Sequence, residues 1–461
     1  MTTEILVFVP GTLGSELWDG QNRIWPGSLL EAVTGFSDQK FARLLQQDLE
    51  PRDIVRTAAG GLIGIYRDWI KAFEAIVRGD RPLFRETAGN GLPKTLHAFP
   101  YDWRVDLERT ADALAEFLDA IVANTSDVDL KLVCHSQGGV LTRYYLESGR
   151  FDTRPAFERI SLFVTFGAPH NGAPVAYAGA VGLHKAQFLS TDQTRLLAND
   201  ARYPSLFQLF PSVTHSFIWH SDPTQASRSF PSDDAALARK FRLNQDSLAA
   251  WRSFRSGLTG KRPAHVRYFF VVGSREETLV RLAWDGNRLQ KEELADGGDG
   301  TVSLGGAFDA STQTALVSKS HVSLIETRAA RQTLASLFGA TTVFSAAELA
   351  GRPTISVRDT VVTTTDEIYL QIEFAGDTNR LKSEIRFQRA VSPEDKPPDQ
   401  VIFGEVASIP PKPIELSGPS FVLLNFRAPP IDIRGIYRPV LKLDGDPNEI
   451  VGPAFAVQEM A

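Results

Sequence analysis

The sequence has almost no cysteine and no excess of positive charge, and both absences narrow the classes of protein to which it could belong. Its 461 residues include one cysteine, Cys134, so no disulfide can form within the chain. A disulfide-stapled secreted fold is therefore excluded. Lys and Arg number 49 against 55 Asp and Glu, which gives a formal net charge of −6. A generally basic surface is absent, and we expect no nucleic-acid partner.

Long apolar runs are also missing. A membrane-spanning helix needs about 20 predominantly apolar residues. The nearest candidate, residues 172–183, is too short and too rich in Ala and Gly. The first residues lack the basic segment, the long apolar segment and the cleavage site of a secretory signal. We therefore expect a cytoplasmic protein.

Short apolar runs alternate with helical patterns over about the first 340 residues. One helical pattern covers residues 107–121, with apolar side chains at i, i+3, i+4 and i+7. This alternation predicts an α/β fold with a mostly parallel sheet. The runs that we predict as strands buried on both faces are Ile5–Val9, Leu96–Phe99, Leu130–Val133, Leu162–Phe166 and Val266–Val272.

Two connections between these strands are too long to be simple crossovers. They extend from Gly11 to about Lys94 and from Gly167 to about His265. Structureless loops of that length are uncommon, so we expect helices in both, at residues 69–77 and 234–248. We assign residues 1–345 to a catalytic domain in which insertions at about 15–94 and 173–262 form a cap or lid.

Composition changes near residue 350. No Trp follows Trp284, whereas 13 of the 27 Pro lie between Pro353 and Pro453. Short strand-like segments there are separated by Pro, Gly, Asp and Asn. This pattern predicts a β-sandwich-like domain over residues 352–461, and it contains no cluster of reactive side chains that we can name.

Ser136 is the candidate nucleophile. An apolar strand ends at Cys134, a sharp turn carries Ser136, and a helical pattern starts at once in the sequence His-Ser-Gln-Gly-Gly. This context is typical of the nucleophile elbow of α/β-hydrolases, although Cys134 replaces the first Gly of G-x-S-x-G. We interpret Cys134 as a small buried packing residue. An ordinary Ser in a strand-to-helix turn is the alternative for Ser136.

A serine nucleophile needs a base, and the base needs an orienting acid. Asp299, in an Asp-Gly-Gly-Asp turn, and His321 follow Ser136 in the chain order of these hydrolases. Asp296 is an alternative acid, and the turn could also be merely solvated or bind a cation. His265 is a poorer base, because it starts a strand and so lies at the wrong end of a parallel sheet.

The oxyanion of an acyl-transfer intermediate needs two N–H donors. The backbone N–H of Gln137, directly after the nucleophile, is one candidate. The second is the N–H of Thr12, in the glycine-containing loop that follows the first strand; a simple turn or a phosphate cradle is the alternative. Leu13 and His170 are candidates for lining the pocket. We expect neither a metal nor another cofactor.

Seven segments together resemble the lecithin:cholesterol acyltransferase family of α/β-hydrolases, which includes phospholipases A and phospholipid:diacylglycerol acyltransferases. They occur in the family's order over roughly residues 5–330. The resemblance implies an α/β-hydrolase fold with a cap, the roles given above for Ser136, Asp299 and His321, and a fatty-acyl ester substrate. The segments are Val9–Ser15, Pro100–Arg104, His135–Gly139, Phe166–Gly172, Tyr203–Pro211, Gly298–Val302 and Ser320–His321.

Two features depart from this family. Secreted relatives hold their cap with disulfides that this chain cannot form, and the region after residue 350 lies outside the family core. We predict a serine-dependent lipid ester hydrolase of the phospholipase or lipase type. The alternatives are an O-acyltransferase, a soluble hydrolase of small esters or thioesters, and a partner-recruiting protein with a regulated hydrolase domain. Transient contact with a membrane surface and a protein partner for the C-terminal domain are further candidates.

Overall fold

A computed structural model describes residues 2–89, 92–125, 127–212, 215, 217–222, 224, 229–344, 352–406 and 408–459. Its strands are β1 (Thr3–Val9), β2 (Ser15–Asp19), β3 (Asn22–Trp25), β4 (Glu50–Ile54), β5 (Thr57–Ala58), β6 (Ile63–Gly64), β7 (Ile76–Arg78), β8 (Arg81–Pro82), β9 (Leu96–Ala98), β10 (Val128–His135), β11 (Ile160–Phe166), β12 (Ile218–His220), β13 (Ser229–Phe230), β14 (Arg267–Gly273), β15 (Glu276–Trp284), β16 (Leu289–Gly298), β17 (Gln313–Val317), β18 (Thr341–Thr342), β19 (Thr354–Val357), β20 (Val361–Thr363), β21 (Ile368–Val391), β22 (Ile402–Glu405), β23 (Lys412–Ala428), β24 (Gly435–Leu443), β25 (Ile450–Val451) and β26 (Phe455–Gln458).

The α-helices are α1 (Leu29–Thr34), α2 (Asp38–Leu44), α3 (Arg67–Glu74), α4 (Leu107–Ala123), α5 (Gln137–Glu147), α6 (Pro174–Ala180), α7 (Thr191–Ala198), α8 (Ser205–Gln208), α9 (Ala235–Lys240), α10 (Gln245–Gly257), α11 (Leu304–Ala307) and α12 (Arg328–Leu337). Short 3-10 helices cover Ala59–Gly61, Phe157–Arg159, His321–Glu326, Pro393–Asp395 and Pro398–Gln400. Within the part of the chain that the structure describes, none of the helices combines the length and the apolar character needed to cross a membrane.

The chain divides into two compact units. Unit 1 contains Met1–Trp25, Phe41–Val55 and Trp69–Thr342, and unit 2 contains Pro26–Lys40, Arg56–Asp68 and Val343–Ala461. Two stretches of the first long connection thus belong to the same unit as the C-terminal strands.

A six-stranded parallel sheet forms the centre of unit 1, in the order β17-β14-β11-β10-β1-β9. Its inner strands are apolar and almost fully buried because helices cover both faces of such a sheet. Five of its strands lie at the predicted apolar runs, and α4 lies at the predicted helix. The predicted α/β fold class is confirmed.

The edge strand β17 was not predicted, because most of its residues are partly or fully exposed and so form no continuous apolar run. The helix predicted at residues 234–248 is two helices, α9 and α10, with Arg242 at a φ of 54° between them. Residues 276–298 form the antiparallel pair β15 and β16, which belongs to a second sheet with β12 and β13.

Unit 2 is built on one eight-stranded network of strands. Its long strand β21 pairs with β19 and β23 near its start and with β22 and β24 near its end. Alternate side chains of β21, including Ile368, Leu370 and Ile372, join Phe455 and Val457 of β26 in an apolar core. The prediction that strands dominate the region after residue 350 is confirmed.

Candidate active site

Ser136 lies at the turn between β10 and α5, at the carboxyl end of the central sheet. Its φ of 53° and ψ of −125° belong to a region that non-glycine residues rarely adopt. A Cβ on Gly138 would lie 2.4 Å from the carbonyl oxygen of Pro10, so only glycine allows α5 to start this close to β1. The sharp turn and the glycine after it place Ser136 at the N-terminus of a helix, where backbone N–H groups lack partners within the helix.

Asp299 and His321 form a buried pair. His321 Nδ1 lies 2.8 Å from Asp299 Oδ2, and the His321 backbone N–H donates to the Asp299 carbonyl over 2.8 Å. Asp299 Oδ1 accepts hydrogen bonds from the backbone N–H groups of Thr301 and Val302 at 3.0 and 2.7 Å. Asp299 is 1% exposed. Both oxygens of its carboxylate are therefore held, and one of them faces the imidazole of His321.

The other acidic candidate differs sharply. Asp296 is exposed near the end of β16, whereas Asp299 follows that strand and is buried. No pairing of Asp296 with a histidine occurs among the described residues. The geometry favours Asp299 as the partner of His321.

Close approaches of His135 and Gly167 connect the Asp299–His321 pair to the turn at Ser136. The preceding residue, His135, has its Nε2 3.0 Å from the His321 carbonyl oxygen, and the two imidazole rings lie 4.6 Å apart between centroids. A Cβ on Gly167 would lie 2.8 Å from Asp299 Oδ2 and 3.0 Å from His321 Nδ1. The Ser136 N–H donates to the carbonyl of Phe166, the residue before Gly167. The three predicted residues therefore share one end of the sheet.

The loop that follows β1 also reaches Ser136. A Cβ on Gly11 would lie 2.7 Å from Ser136 Cβ and 3.3 Å from Ser136 Oγ. Thr12 is the next residue, and Leu13 adopts a φ of 64° while its carbonyl accepts from the indole N–H of Trp25 at 2.8 Å. Gln137 is fully buried as the first residue of α5. The backbone around both predicted oxyanion donors thus lies beside Ser136.

His170 is enclosed by protein. Its ring stacks on Phe270 with centroids 3.9 Å apart, and Nε2 lies 3.0 Å from the Thr165 hydroxyl. Burial and the nearby guanidinium groups of Arg143 and Arg262 lower the pKa of His170 well below 6.5. His170 is thus a neutral, packed histidine, and its contribution to a pocket stays a prediction.

Cys134 and His265 occupy the positions expected of them. Cys134 is fully buried, and its thiol donates to the Thr142 hydroxyl at 3.3 Å. Burial raises the pKa of the Cys134 thiol to about 12, which confirms a packing residue rather than a reactive thiol. His265 precedes β14, at the opposite end of the sheet from Ser136.

Two of the family-like segments pack on one another. The Arg104 guanidinium forms hydrogen bonds of 2.8 and 2.6 Å with the carboxylate of Asp102 and lies over the ring of Tyr203, 4.5 Å from its centroid. The Ser205 hydroxyl donates to the Trp103 carbonyl at 2.6 Å. Arg104 is 1% exposed, so its paired charge is buried where the two segments meet.

A crystal structure of the gene lin2722 products from Listeria innocua aligns with 72% of this chain and 92% of its own, at 11% identity and a TM-score of 0.30. A comparison with curated proteins finds no match.

The sequence comparison is more informative. Residues 84–256 match the family model described as Lecithin:cholesterol acyltransferase. This range includes Ser136 and four of the predicted segments, whereas Asp299 and His321 lie beyond it. The match indicates an enzyme of the acyl-transferring or lipid-esterase type. The resemblance of this chain to the lecithin:cholesterol acyltransferase family is therefore confirmed over residues 84–256.

Proposed function

We propose that this protein is a serine-dependent lipid ester hydrolase that acts through an acyl-enzyme on Ser136. The proposal rests on one observation. A buried pair, in which His321 Nδ1 lies 2.8 Å from Asp299 Oδ2, adjoins a strained turn that places Ser136 at the N-terminus of a helix. This combination matches the nucleophile, base and orienting acid of a hydrolytic triad.

In the first half-reaction, His321 takes the proton of Ser136 while the serine oxygen attacks the ester carbonyl. The backbone N–H groups of Thr12 and Gln137 hold the developing oxyanion. Asp299 keeps the proton of His321 on Nδ1, so that Nε2 is free to accept, and it stabilises the imidazolium that forms. The protonated imidazole then gives its proton to the leaving alcohol.

In the second half-reaction, His321 takes a proton from water while the water oxygen attacks the acyl-enzyme, and it returns this proton to the Ser136 oxygen as the fatty acid leaves. If an acceptor alcohol replaced water, the protein would be an acyltransferase. The description of the matched family, an acyltransferase, favours this alternative. We propose hydrolysis as the main reaction because water is always present, whereas transfer needs an additional acceptor site. Adding a long-chain alcohol to the assay separates the two, since transfer would produce a new ester at the expense of free fatty acid.

Replacement of Ser136 by Ala tests the nucleophile. We expect S136A to lose about 10⁴-fold or more in turnover of an ester and to lose labelling by a fluorophosphonate. Ser148→Ala is the matched control, because Ser148 lies at the other end of the same helix, α5. Undiminished hydrolysis by S136A, with its fold intact, would overturn the proposal.

The lipid substrate needs a separate test. Rates on phospholipid vesicles are compared with rates on soluble short-chain esters at equal ester concentration. We expect faster turnover of the vesicle lipid. Activity on soluble esters or thioesters alone would identify a small-ester hydrolase, and the lipid assignment would then be wrong.

A further inference from the structure

Two side chains outside the proposed triad are hydrogen-bonded to the backbone carbonyls of the proposed base, His321, and of the residue that follows it. His321 is the first residue of the 3-10 helix His321–Glu326. Its carbonyl oxygen lies 3.0 Å from His135 Nε2, and the next carbonyl, of Val322, accepts from the indole N–H of Trp69 at 2.8 Å. We call His135 and Trp69 the carbonyl clamp.

The chemistry of these contacts fixes the state of His135. A backbone carbonyl can only accept a hydrogen bond, so the proton of neutral His135 must be on Nε2. His135 is 3% exposed, and burial together with the neighbouring His321 lowers its pKa well below 6.5. His135 therefore stays neutral in the pH range where a histidine base works. It adds no charge to oppose protonation of His321.

The two side chains of the carbonyl clamp are also closely packed. The ring of Trp69 lies 5.0 Å from the ring of His135 and 5.2 Å from that of Phe166, between centroids. Trp69 is 1% exposed. Packing of this kind restricts both side chains to one rotamer, so their N–H groups point at the two carbonyls without further loss of side-chain entropy.

We propose that His135 and Trp69 are positioning residues that set the distance and orientation of the His321 imidazole relative to Ser136. His135 is covalently adjacent to Ser136, and its side chain is hydrogen-bonded to the backbone of His321, 186 positions later in the sequence. One side chain therefore links the turn at Ser136 to the 3-10 helix that begins at His321. A displacement of about 1 Å at such a site costs on the order of 10²-fold in rate. The inference rests on the proposed function, since it assigns these side chains to the same triad.

Three substitutions test the clamp. His135→Leu removes the donor and Trp69→Phe removes the indole N–H while keeping a ring. His135→Gln keeps an N–H donor on a side chain of similar length. We expect H135L to lower kcat on a soluble ester by about 10- to 100-fold and W69F by about 5-fold, each with KM within 2-fold of the parent, because substrate binding does not depend on the base. H135Q should recover most of the loss.

Two controls remove the same kinds of hydrogen bond elsewhere. His265→Leu removes a contact of 3.1 Å between His265 and the Phe157 carbonyl, and Trp251→Phe removes the 3.1 Å bond from Trp251 to the Phe210 carbonyl. Both should keep the parent kcat. Thermal unfolding midpoints are measured for all five variants, and W69F carries the test if H135L does not fold.

Parent-like kcat in H135L and W69F, or equal losses in the two controls, would overturn the positioning role. A loss in H135L that H135Q does not recover would also contradict it, since the donor would then not be the cause. The parallel S136A variant keeps the two proposals apart: if S136A remains active, the proposed function fails, whereas an inactive S136A beside fully active clamp variants refutes the clamp alone.

Discussion

Replacing Asp299 by Asn removes one charge from the proposed site and almost no volume. The outcome depends on how the new amide is oriented. Asp299 Oδ1 accepts from two backbone N–H groups, those of Thr301 and Val302. An amide nitrogen at that position would face two donors, so the amide oxygen must occupy it. The amide NH₂ is then left facing His321 Nδ1.

An imidazole nitrogen that faces an NH₂ group must accept a hydrogen bond. The proton of His321 therefore moves to Nε2, the atom that should take the proton of Ser136, and the base is blocked. The same change in serine proteases lowers kcat by about 10⁴-fold. At about 1.4 kcal/mol for each factor of ten, D299N should raise the activation barrier by about 5 kcal/mol.

The assay is the steady-state hydrolysis of a soluble chromogenic ester by D299N and by Asp296→Asn, which makes the same charge change at an exposed position three residues away. We expect D296N to keep the parent kcat. Thermal unfolding shows whether D299N remains folded. A folded D299N that retains more than about a tenth of the parent kcat would refute the orientation of His321 by Asp299. A loss seen only in D296N would assign the acid to Asp296.

Three further predictions concern buried groups. Cys134, fully buried with its pKa raised to about 12, should resist iodoacetamide at pH 8 in the folded protein and react only in denaturant; rapid labelling of the native protein, followed by mass spectrometry, would contradict this. Gly138→Ala should lower the free energy of unfolding by about 3 kcal/mol, because the new Cβ would lie 2.4 Å from the Pro10 carbonyl oxygen. Gly89→Ala is the control and should leave this free energy unchanged, because a Cβ at Gly89 has no atom within 4 Å. Urea denaturation measures both variants. The pKa of His170 is lower in the folded than in the unfolded protein, so below pH 6.5 the unfolded state binds a proton that the folded state does not. The free energy of unfolding therefore decreases as the pH is lowered below 6.5. His170→Phe should reduce that slope by up to about 1.4 kcal/mol per pH unit in urea denaturation between pH 7 and 5. Equal slopes in the two proteins would show that His170 binds its proton as readily in the folded as in the unfolded state, which would contradict the lowered pKa.

The central sheet could be predicted because its inner strands need apolar side chains on both faces. β1, β10 and β11 are therefore continuous apolar runs in the sequence. The antiparallel strand β16 has no such signature, since charged and exposed side chains such as Lys291 and Glu293 occupy much of its length. The position of a strand at the exposed edge of a sheet depends on how the whole sheet assembles, so no local sequence pattern predicts it.

The candidate site also has a part that the sequence predicts and a part that it does not. Chain order and the elbow sequence predicted Ser136, Asp299 and His321, but spacing alone left Asp296 open, because both acids flank the same pair of glycines. Burial separates them in the structure. The role that we propose for His135 had no local signal, because it depends on the approach of two segments that are far apart in the chain.

Unit 2 begins early in the chain and ends with its last strand. Helix α1 has a capping box between Ser28 and Glu31, and the side-chain amide of Gln458 in β26 donates to the backbone carbonyls of Glu31 and Ala32 at 3.2 and 3.1 Å. During synthesis, α1 leaves the ribosome more than 400 residues before β26, the strand against which it packs. A fragment cut near residue 345 would lack β26, so α1 would lose its contacts with that strand and keep those with the 3-10 helix Ala59–Gly61.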